Sequence, residues 1–383
     1  MEYTKLKSIN EYRSENINPM KFPDTIFEMY SVPIYETGHP ENLHGSDIGS
    51  NKVLVQKNDV LLCKINPRIN RVWVVADESE HQNIASSEWI VVRSKTYNPE
   101  FLAWYFRTPK FKKLMTSEVT GIGGSLTRAQ PKAVAEYPIP VIPRQRQDEI
   151  TLILNKSYDI IMLRKRELQS LDKLIKARFV EMFGDPNTEE LRWQEVNIGD
   201  NCFVTKLAGF EYTNYIHYEE AGDVVMVKAQ NVKNGSLNEK ELSYISNEVS
   251  DSLPRSQLAP GDVVMTYVGA NIGDVAIINN KHKYHLAPNV AKIRPDGKVY
   301  DSIFFMYLLM MKTDYIMRNS ADTAKAALGM ERIRKLKVFV PPLDDQKQFA
   351  SFVSQVDKSK AAVQAALDKA QLLFDSLMQE YFG

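Results

Sequence analysis

One stretch of this chain is written twice, and that constrains the fold more than any other feature. The closing stretch runs P-P-L-D-D-Q-K-Q-F through L-M-Q-E-Y-F-G, from Pro341 to Gly383. An earlier copy runs I-P-R-Q-R-Q-D-E-I through F-V-E-M-F-G, from Ile142 to Gly184. Pro143 matches Pro342, Gln147 matches Gln346, Phe183 matches Phe382 and Gly184 matches Gly383, all at one offset of 199 residues. An ungapped internal repeat dictates a repeated architecture. Here the repeated unit ends in a long proline-opened helix.

The regions before the two copies echo each other as well. G-D-V-V-M-T-Y-V (Gly261 to Val268) answers N-D-V-L-L-C-K-I (Asn58 to Ile65), and L-A-P-N-V-A-K-I-R (Leu286 to Arg294) answers I-A-S-S-E-W-I-V-V-R (Ile84 to Arg93). D-S-I-F-F-M-Y-L-L (Asp301 to Leu309) answers P-E-F-L-A-W-Y-F (Pro99 to Phe106), with offsets of 201 to 203. Drifting offsets place small insertions in loops, where they are tolerated. The chain has 383 residues, too many for one ordinary core. The expected division is 1–142 and 187–341 as globular domains, with 143–186 and 342–383 as helical spacers.

Within the first domain, K-V-L-V (Lys52 to Val55), D-V-L-L-C-K-I (Asp59 to Ile65), R-V-W-V-V-A (Arg71 to Ala76) and E-W-I-V-V-R (Glu88 to Arg93) carry the strand signature. Asn98, Pro99 and Glu100 open a helix, as N-cap, first position and first-turn acid. A glycine-rich loop, Thr120 to Arg128, and an extended exit, Tyr137 to Pro143, follow. In the second domain A-K-A-A-L-G-M-E-R-I (Ala324 to Ile333) stands where that loop stood.

The last helix carries two apolar rows at seven-residue steps. One is Phe349, Val356, Val363, Ala370 and Leu377; the other is Val353, Lys360, Leu367, Phe374 and Tyr381. Two such rows four residues apart form a coiled-coil seam. In the earlier copy the rows are Ile150, Ser157, Arg164, Leu171, Arg178 and Leu154, Ile161, Leu168, Ile175, Met182. That helix has nine basic and six acidic residues from Pro143 to Gly184, while the last has four basic and six acidic from Pro342 to Gly383. The charge bias favours pairing the two helices with each other. The expected fold is therefore α+β: two pseudo-symmetric α/β domains separated by two long helices that form an antiparallel coiled coil. Each helix would span roughly 60 Å at about 1.5 Å per residue.

Composition excludes several classes. At 44% hydrophobic and 25% charged the chain is globular. Two cysteines, Cys63 and Cys202, build no disulfide framework. No secretory pattern or spanning apolar run occurs, so a soluble cytoplasmic protein is expected. T-G-I-G-G-S (Thr120 to Ser125) lacks the Lys-Ser or Lys-Thr of a P-loop. N-P-R-I (Asn66 to Ile69) lacks the second proline and stacking aromatic of an amino-methyltransferase motif. His282 and His285 have no third ligand nearby in sequence. A chain with no catalytic centre, no cofactor and no metal is expected.

The loops carry residue types that contact nucleic acid. K-I-N-P-R-I-N-R offers Lys64, Asn66, Arg68, Asn70 and Arg71, and S-L-T-R-A-Q-P-K adds Thr127, Arg128, Gln130 and Lys132. In the second domain K-A-Q-N-V-K-N-G offers Lys228, Gln230, Asn231 and Lys233. Y-V-G-A-N-I-G-D offers Tyr267 and Asn271, and the basic loop Asn280 to His285 offers Lys281 and Lys283. Arginine reads guanine and asparagine reads adenine, while lysine meets phosphate. Equivalent loops with different polar residues would read two different sequences.

With its duplicated exits, Y-P-I-P-V-I-P-R-Q-R-Q and V-F-V-P-P-L-D-D-Q, each followed by a helix ending in Phe-Gly, the chain resembles the specificity subunit of type I restriction-modification enzymes over its whole length. The first exit departs from the usual form at Ile142 and at Arg144-Gln145-Arg146. The resemblance implies two target-recognition domains that read the halves of a split double-stranded DNA site. It implies a host-defence restriction system in which two methyltransferase subunits and motor-nuclease restriction subunits dock on this chain and supply DNA methylation and cleavage. A specificity subunit for a fused methyltransferase-nuclease, or a protein-binding scaffold, would fit the same sequence.

Overall fold

The computed structural model describes residues 2–76, 78–120, 127–188, 191–320 and 327–383. The chain forms two compact units: Met1–Arg164 with Ala366–Gly383, and Lys165–Ala365. Both long helices, Arg144–Phe183 and Leu343–Phe382, therefore contribute one half to each unit.

In the first unit the strand order is Asn16–Ile17, Lys52–Leu54, Gln82–Ala85, Ile26–Tyr30 and Glu41–His44. Only Ile26–Tyr30 and Gln82–Ala85 run parallel, with Phe27 opposite Gln82 and Tyr30 opposite Ala85. A second, antiparallel sheet sets Val60–Cys63 between Val72–Val74 and Trp89–Val92. The second unit repeats this order. Gln257–Leu258, Lys283–Leu286, Val224–Val227 and Tyr244–Ile245 form one sheet, again with one parallel pair, in which Val224 faces Lys283 and Val227 faces Leu286. Val263–Thr266 is the centre of the other, between Val275–Ile277 and Val290–Pro295, with Cys202–Lys206 outside the last. Val60–Cys63, Val224–Val227 and Val263–Thr266 are buried at every position, which is why they read as unbroken apolar runs rather than alternating ones.

The duplicated sequence carries duplicated polar devices. Asp59 is fully buried, and Arg93 Nε and Nη2 each donate to its carboxylate at 2.7 Å. Asp262 takes the same place in the second unit, receiving Arg294 Nε at 2.6 Å and Nη2 at 2.8 Å. Each aspartate also accepts the backbone N–H three residues earlier, from Gln56 and Ala259. Forked guanidinium–carboxylate geometry supplies both charge and direction. The repeated glutamines act likewise. Gln147 Oε1 accepts the N–H of Asn98 at 2.8 Å and its Nε2 donates to the Ile142 carbonyl; Gln346 does the same for Asp301 N–H and the Pro341 carbonyl. Asn98 and Asp301 in turn cap the helices Pro99–Phe106 and Ser302–Met311. One glutamine thus ties each extended exit to the helix that precedes it.

Within each unit the two long helices pack in antiparallel fashion. In the first, Arg146 lies over Tyr381 and Tyr158 meets Phe374, so one index rises as the other falls. In the second, Asp172 meets Lys360 at 2.7 Å, and Phe179 and Phe183 close on Phe349 at ring separations of 5.4 and 5.7 Å. The apolar seam is a coiled coil, and the lysine that interrupts its row is held by Asp172 on the facing helix. Phe179, fully buried, lies outside both seven-residue rows and joins the second unit's core.

Two sequence expectations change here. The segment Asn280 to His285 is not a loop throughout: Lys283–Leu286 is a strand, with Tyr284 and His285 buried. Likewise K-A-Q-N-V-K-N-G is a hairpin, Val232–Lys233 paired with Ser236–Leu237 around Asn234 (φ 51) and Gly235 (φ 80). Asn-Gly is the turn pair that adopts two positive φ angles. The expected glycine-rich loop falls on residues 121–126, and the start of its counterpart on 324–326, outside the described residues.

Burial pushes the His285 imidazole below its ordinary value, and its Nε2 has no partner. A histidine with a depressed folded pKa stabilises above the unfolded pKa and loses that contribution as pH falls through about 6.5 and below. The urea midpoint of the second unit should fall between pH 7.5 and 5.5, and His285→Leu should flatten that segment of the profile.

Candidate nucleic-acid interface

In the first unit the candidate site grows from the end of the central strand Val60–Cys63. Lys64 N–H donates to the Glu88 carbonyl at 3.0 Å, Asn66 N–H to Thr127 at 2.8 Å, and Ala129 N–H returns to Lys64 at 2.9 Å. Two segments far apart in sequence, 64–71 and 127–132, thus lie side by side. Within the first of them lies a 3-10 turn, Pro67–Ile69, with Pro67 buried. Asn66 (φ 49) and Asn70 (φ 56) flank it in the left-handed region, which asparagine tolerates better than most residues. Their carboxamide oxygens are buried without hydrogen-bond partners. Arg68 and Ile69 are exposed at the tip.

The surrounding cations differ in availability. Arg71 is mostly buried, with Nε 3.5 Å from Glu36 Oε1. Arg128 forks onto Glu88 at 3.1 and 3.2 Å. Gln130 donates to the Thr120 hydroxyl. Lys132 is exposed on the short helix Pro131–Val134, while Lys64 and Thr127 are half-buried. Arg68 and Lys132 present exposed charge.

The second unit builds the same frame from Val263–Thr266. Tyr267 N–H donates to the Asn289 carbonyl at 2.9 Å, and Leu328 N–H donates to the Tyr267 carbonyl at 2.8 Å. This is the pairing that Glu88 and Ala129 make with Lys64 in the first unit. Gly269 (φ 109) and Gly273 (φ 89) supply the positive φ angles that asparagine supplies there. The side chains differ. Tyr267 is half-buried, with Lys206 Nζ 5.4 Å from its ring centre, and Asn271 is exposed. Lys233 is exposed on the hairpin and lies near enough to Asp274 to oppose the rise in pKa that burial imposes on that carboxyl.

Several expected contact residues are committed elsewhere. Asn231 is 2% exposed; its oxygen accepts Lys228 N–H and its amide donates to the Asn238 and Lys240 carbonyls, so it holds the hairpin. Lys228 donates to the Ser243 hydroxyl at 2.8 Å, while Gln230 is exposed. Lys281 pairs with Glu239 at 3.0 Å and Lys283 donates to Asn247. Both follow Val275–Ile277, at the end of the hairpin opposite Tyr267 and Asn271. Asn231, Lys281 and Lys283 are therefore not part of the cluster. Lys206, at the end of Cys202–Lys206, was missed; only the pairing of that strand with Val290–Pro295 brings it to Tyr267. Among the described residues no group of three or more metal-ligating side chains occurs, and no helix is long and apolar enough to cross a membrane.

Residues 190–370 match the family model of the type I restriction modification DNA specificity domain. The specificity subunit of the type I restriction enzyme EcoBI from Escherichia coli is 24% identical over 166 residues, 42% of this chain and 35% of that protein. The chain spans 35% to 45% of the length of the curated relatives it matches. The type I restriction-modification S subunit from M. genitalium gives a TM-score of 0.60 at 11% identity, covering 100% of this chain and 96% of that one. A chain from a type I R-M system, solved for its complex assembly and conformational transition, gives 0.57 at 18%, covering 100% and 97%. At these identities the structural likeness is one of fold.

Proposed function

From a chain that carries the type I restriction modification DNA specificity domain over residues 190–370, we propose a DNA sequence-recognition subunit of a type I restriction-modification complex, without catalytic chemistry of its own. Each unit would read one half of a bipartite double-stranded site. The observation that carries this reading is the duplicated frame with unlike contents. The loops 64–71 and 267–274 leave equivalent strands and are braced by equivalent backbone pairs, yet one offers Arg68 and the other Tyr267 and Asn271. A scaffold for one repeated ligand would keep the side chains alike.

The proposed contact set is Lys64, Arg68, Thr127 and Lys132 in the first unit, and Gln230, Lys233, Tyr267, Asn271 and Lys206 in the second. Arg71, Arg128 and Lys228 hold the loops through their own partners, and Asn66 and Asn70 shape the turn that presents Arg68. Methyltransferase subunits, two per chain, and motor-nuclease subunits would dock on the helical parts. Ile153, Ile160 and Leu163 support this, because they expose a stripe on the first long helix at i, i+7 and i+10. The zero net charge fits a subunit whose partners share the clamping of DNA.

Competition binding of the assembled complex tests the reading. Arg68→Ala should cost about 1–3 kcal/mol on DNA with an intact first half-site and little on a duplex altered there. An equal loss on all DNA reassigns Arg68 to phosphate, and binding without steep salt dependence removes the DNA-reading role.

A further inference from the structure

The second unit carries an exposed aromatic segment beside its proposed DNA contacts. Strand Cys202–Lys206 ends with Lys206 opposite Ala291, and the neighbouring Val290 lies opposite Thr266. The chain therefore leaves that sheet at the edge where Tyr267 and Asn271 begin, and Lys206 Nζ stands 5.4 Å from the Tyr267 ring. The segment that follows includes the short helix Gly209–Tyr215 and reaches Tyr218, whose ring lies 5.7 Å from Lys228 Nζ. Lys228 follows Val224–Val227, and Gln230 is exposed just beyond it. Residues 207–218 thus cross the end of the unit that carries Gln230, Tyr267 and Asn271.

This segment is held from beneath. Leu207 and Ile216 are buried in the unit's core, and Tyr212 packs against that core. Glu211 accepts the Ala208 N–H at 2.9 Å, and both its oxygens accept Arg255 Nη2 at 3.1 Å. Phe210, Tyr215 and Tyr218 are left 65%, 49% and 42% exposed. Large aromatics exposed together beside polar contacts mark a binding surface rather than a solvated face. Tyr215 and Tyr218 carry hydroxyls, whereas Phe210 offers an apolar ring alone. Duplex DNA has two apolar targets for such a ring. Base faces are reached only after a step is unstacked, while the thymine C5-methyl already faces the major groove.

We propose that Phe210 is a specificity residue of the second unit and packs on the C5-methyl group of a thymine in the half-site that this unit reads. The proposal rests on the DNA-reading function above, and its test separates the two. The assembled complex is titrated with duplexes carrying the site mapped by adenine methylation, with uracil replacing each thymine in turn. This removes the methyl group and keeps the base pairing. In the half-site whose recognition survives Arg68→Ala, one uracil should weaken binding about fourfold, the worth of one buried methyl group. Phe210→Ala should weaken binding to the thymine duplex by at least that factor and abolish the uracil effect at that position alone. Phe210→Leu keeps an apolar side chain and should retain most of the uracil effect, which guards against a loss of fold in the alanine variant. Specific binding with no uracil-sensitive position in that half-site, or a uracil effect that persists in Phe210→Ala, overturns this proposal and leaves the DNA-reading role standing. A Phe210→Ala loss that is equal on thymine and uracil duplexes, as for a wedge between bases, or a loss of subunit assembly overturns it as well. Binding without site preference removes both.

Discussion

Arg93→Ala destabilises the first unit by about 3–5 kcal/mol, the usual cost of breaking a buried charged pair by removing one partner. Asp59 is 0% exposed and spends its two oxygens on the guanidinium fork and on Gln56 N–H. Without Arg93 a buried carboxylate keeps one backbone donor and no counter-charge. Arg294→Ala should do the same to the second unit through Asp262, nearer the lower end of that range, because the Arg294 side chain is 47% exposed against 30% for Arg93. Lysine at either position restores charge without the fork and should recover only part of the loss. Urea denaturation followed by circular dichroism checks this; a loss under about 1 kcal/mol for Arg93→Ala would show that water already reaches Asp59.

Phe382→Ala is expected to cost about 3–5 kcal/mol, as for a fully packed aromatic in a core. The position makes this informative, since Phe382 closes its helix and helix ends ordinarily fray. Phe382 is 2% exposed, with its ring 5.4 Å from Phe101 and 5.8 Å from Tyr105. Its duplicate Phe183 packs on Phe304 and Phe349 at 4.7 and 5.7 Å, so Phe183→Ala serves as the matched measurement in the second unit. Equal losses mean that the end of the last helix is as firmly seated as the middle of the chain. A Phe382 loss below about 1 kcal/mol beside a full loss for Phe183→Ala means that this helix end frays.

Much of this frame is legible in the residues. The offset of 199 survives along both long helices because a helix seam admits no insertion without rotating every later side chain off its row. The Asn98 cap and the buried central strands follow from local chemistry that needs no partner. What stays hidden depends on tertiary pairing. The parallel strand Ile26–Tyr30 owes its place to Gln82–Ala85, 55 residues further along the chain, and nothing local announces that partner.

The candidate interface is legible in position and not in role. Composition marks 64–71 and 127–132, and the structure sets them together. It also shows that Asn66 and Asn70 are spent on left-handed backbone, a demand that sequence does not state. Arg71, Arg128 and Lys281 read as available cations until Glu36, Glu88 and Glu239 are found beside them. Asn-Gly at 234–235 is a turn signal outweighed by the lysines around it. Lys206 carries no signal, since a lysine ending a strand is an ordinary surface residue.

The central claim is that two unlike readers on one duplicated frame specify a split DNA site. Co-expressing the chain with the proposed methyltransferase partner and mapping methylated adenines across the genome tests it most directly. The expected result is one motif in two specified halves separated by a fixed gap of unspecified bases, with Arg68→Ala relaxing one half only. A single continuous motif, or no methylation beside a competent methyltransferase, would contradict it.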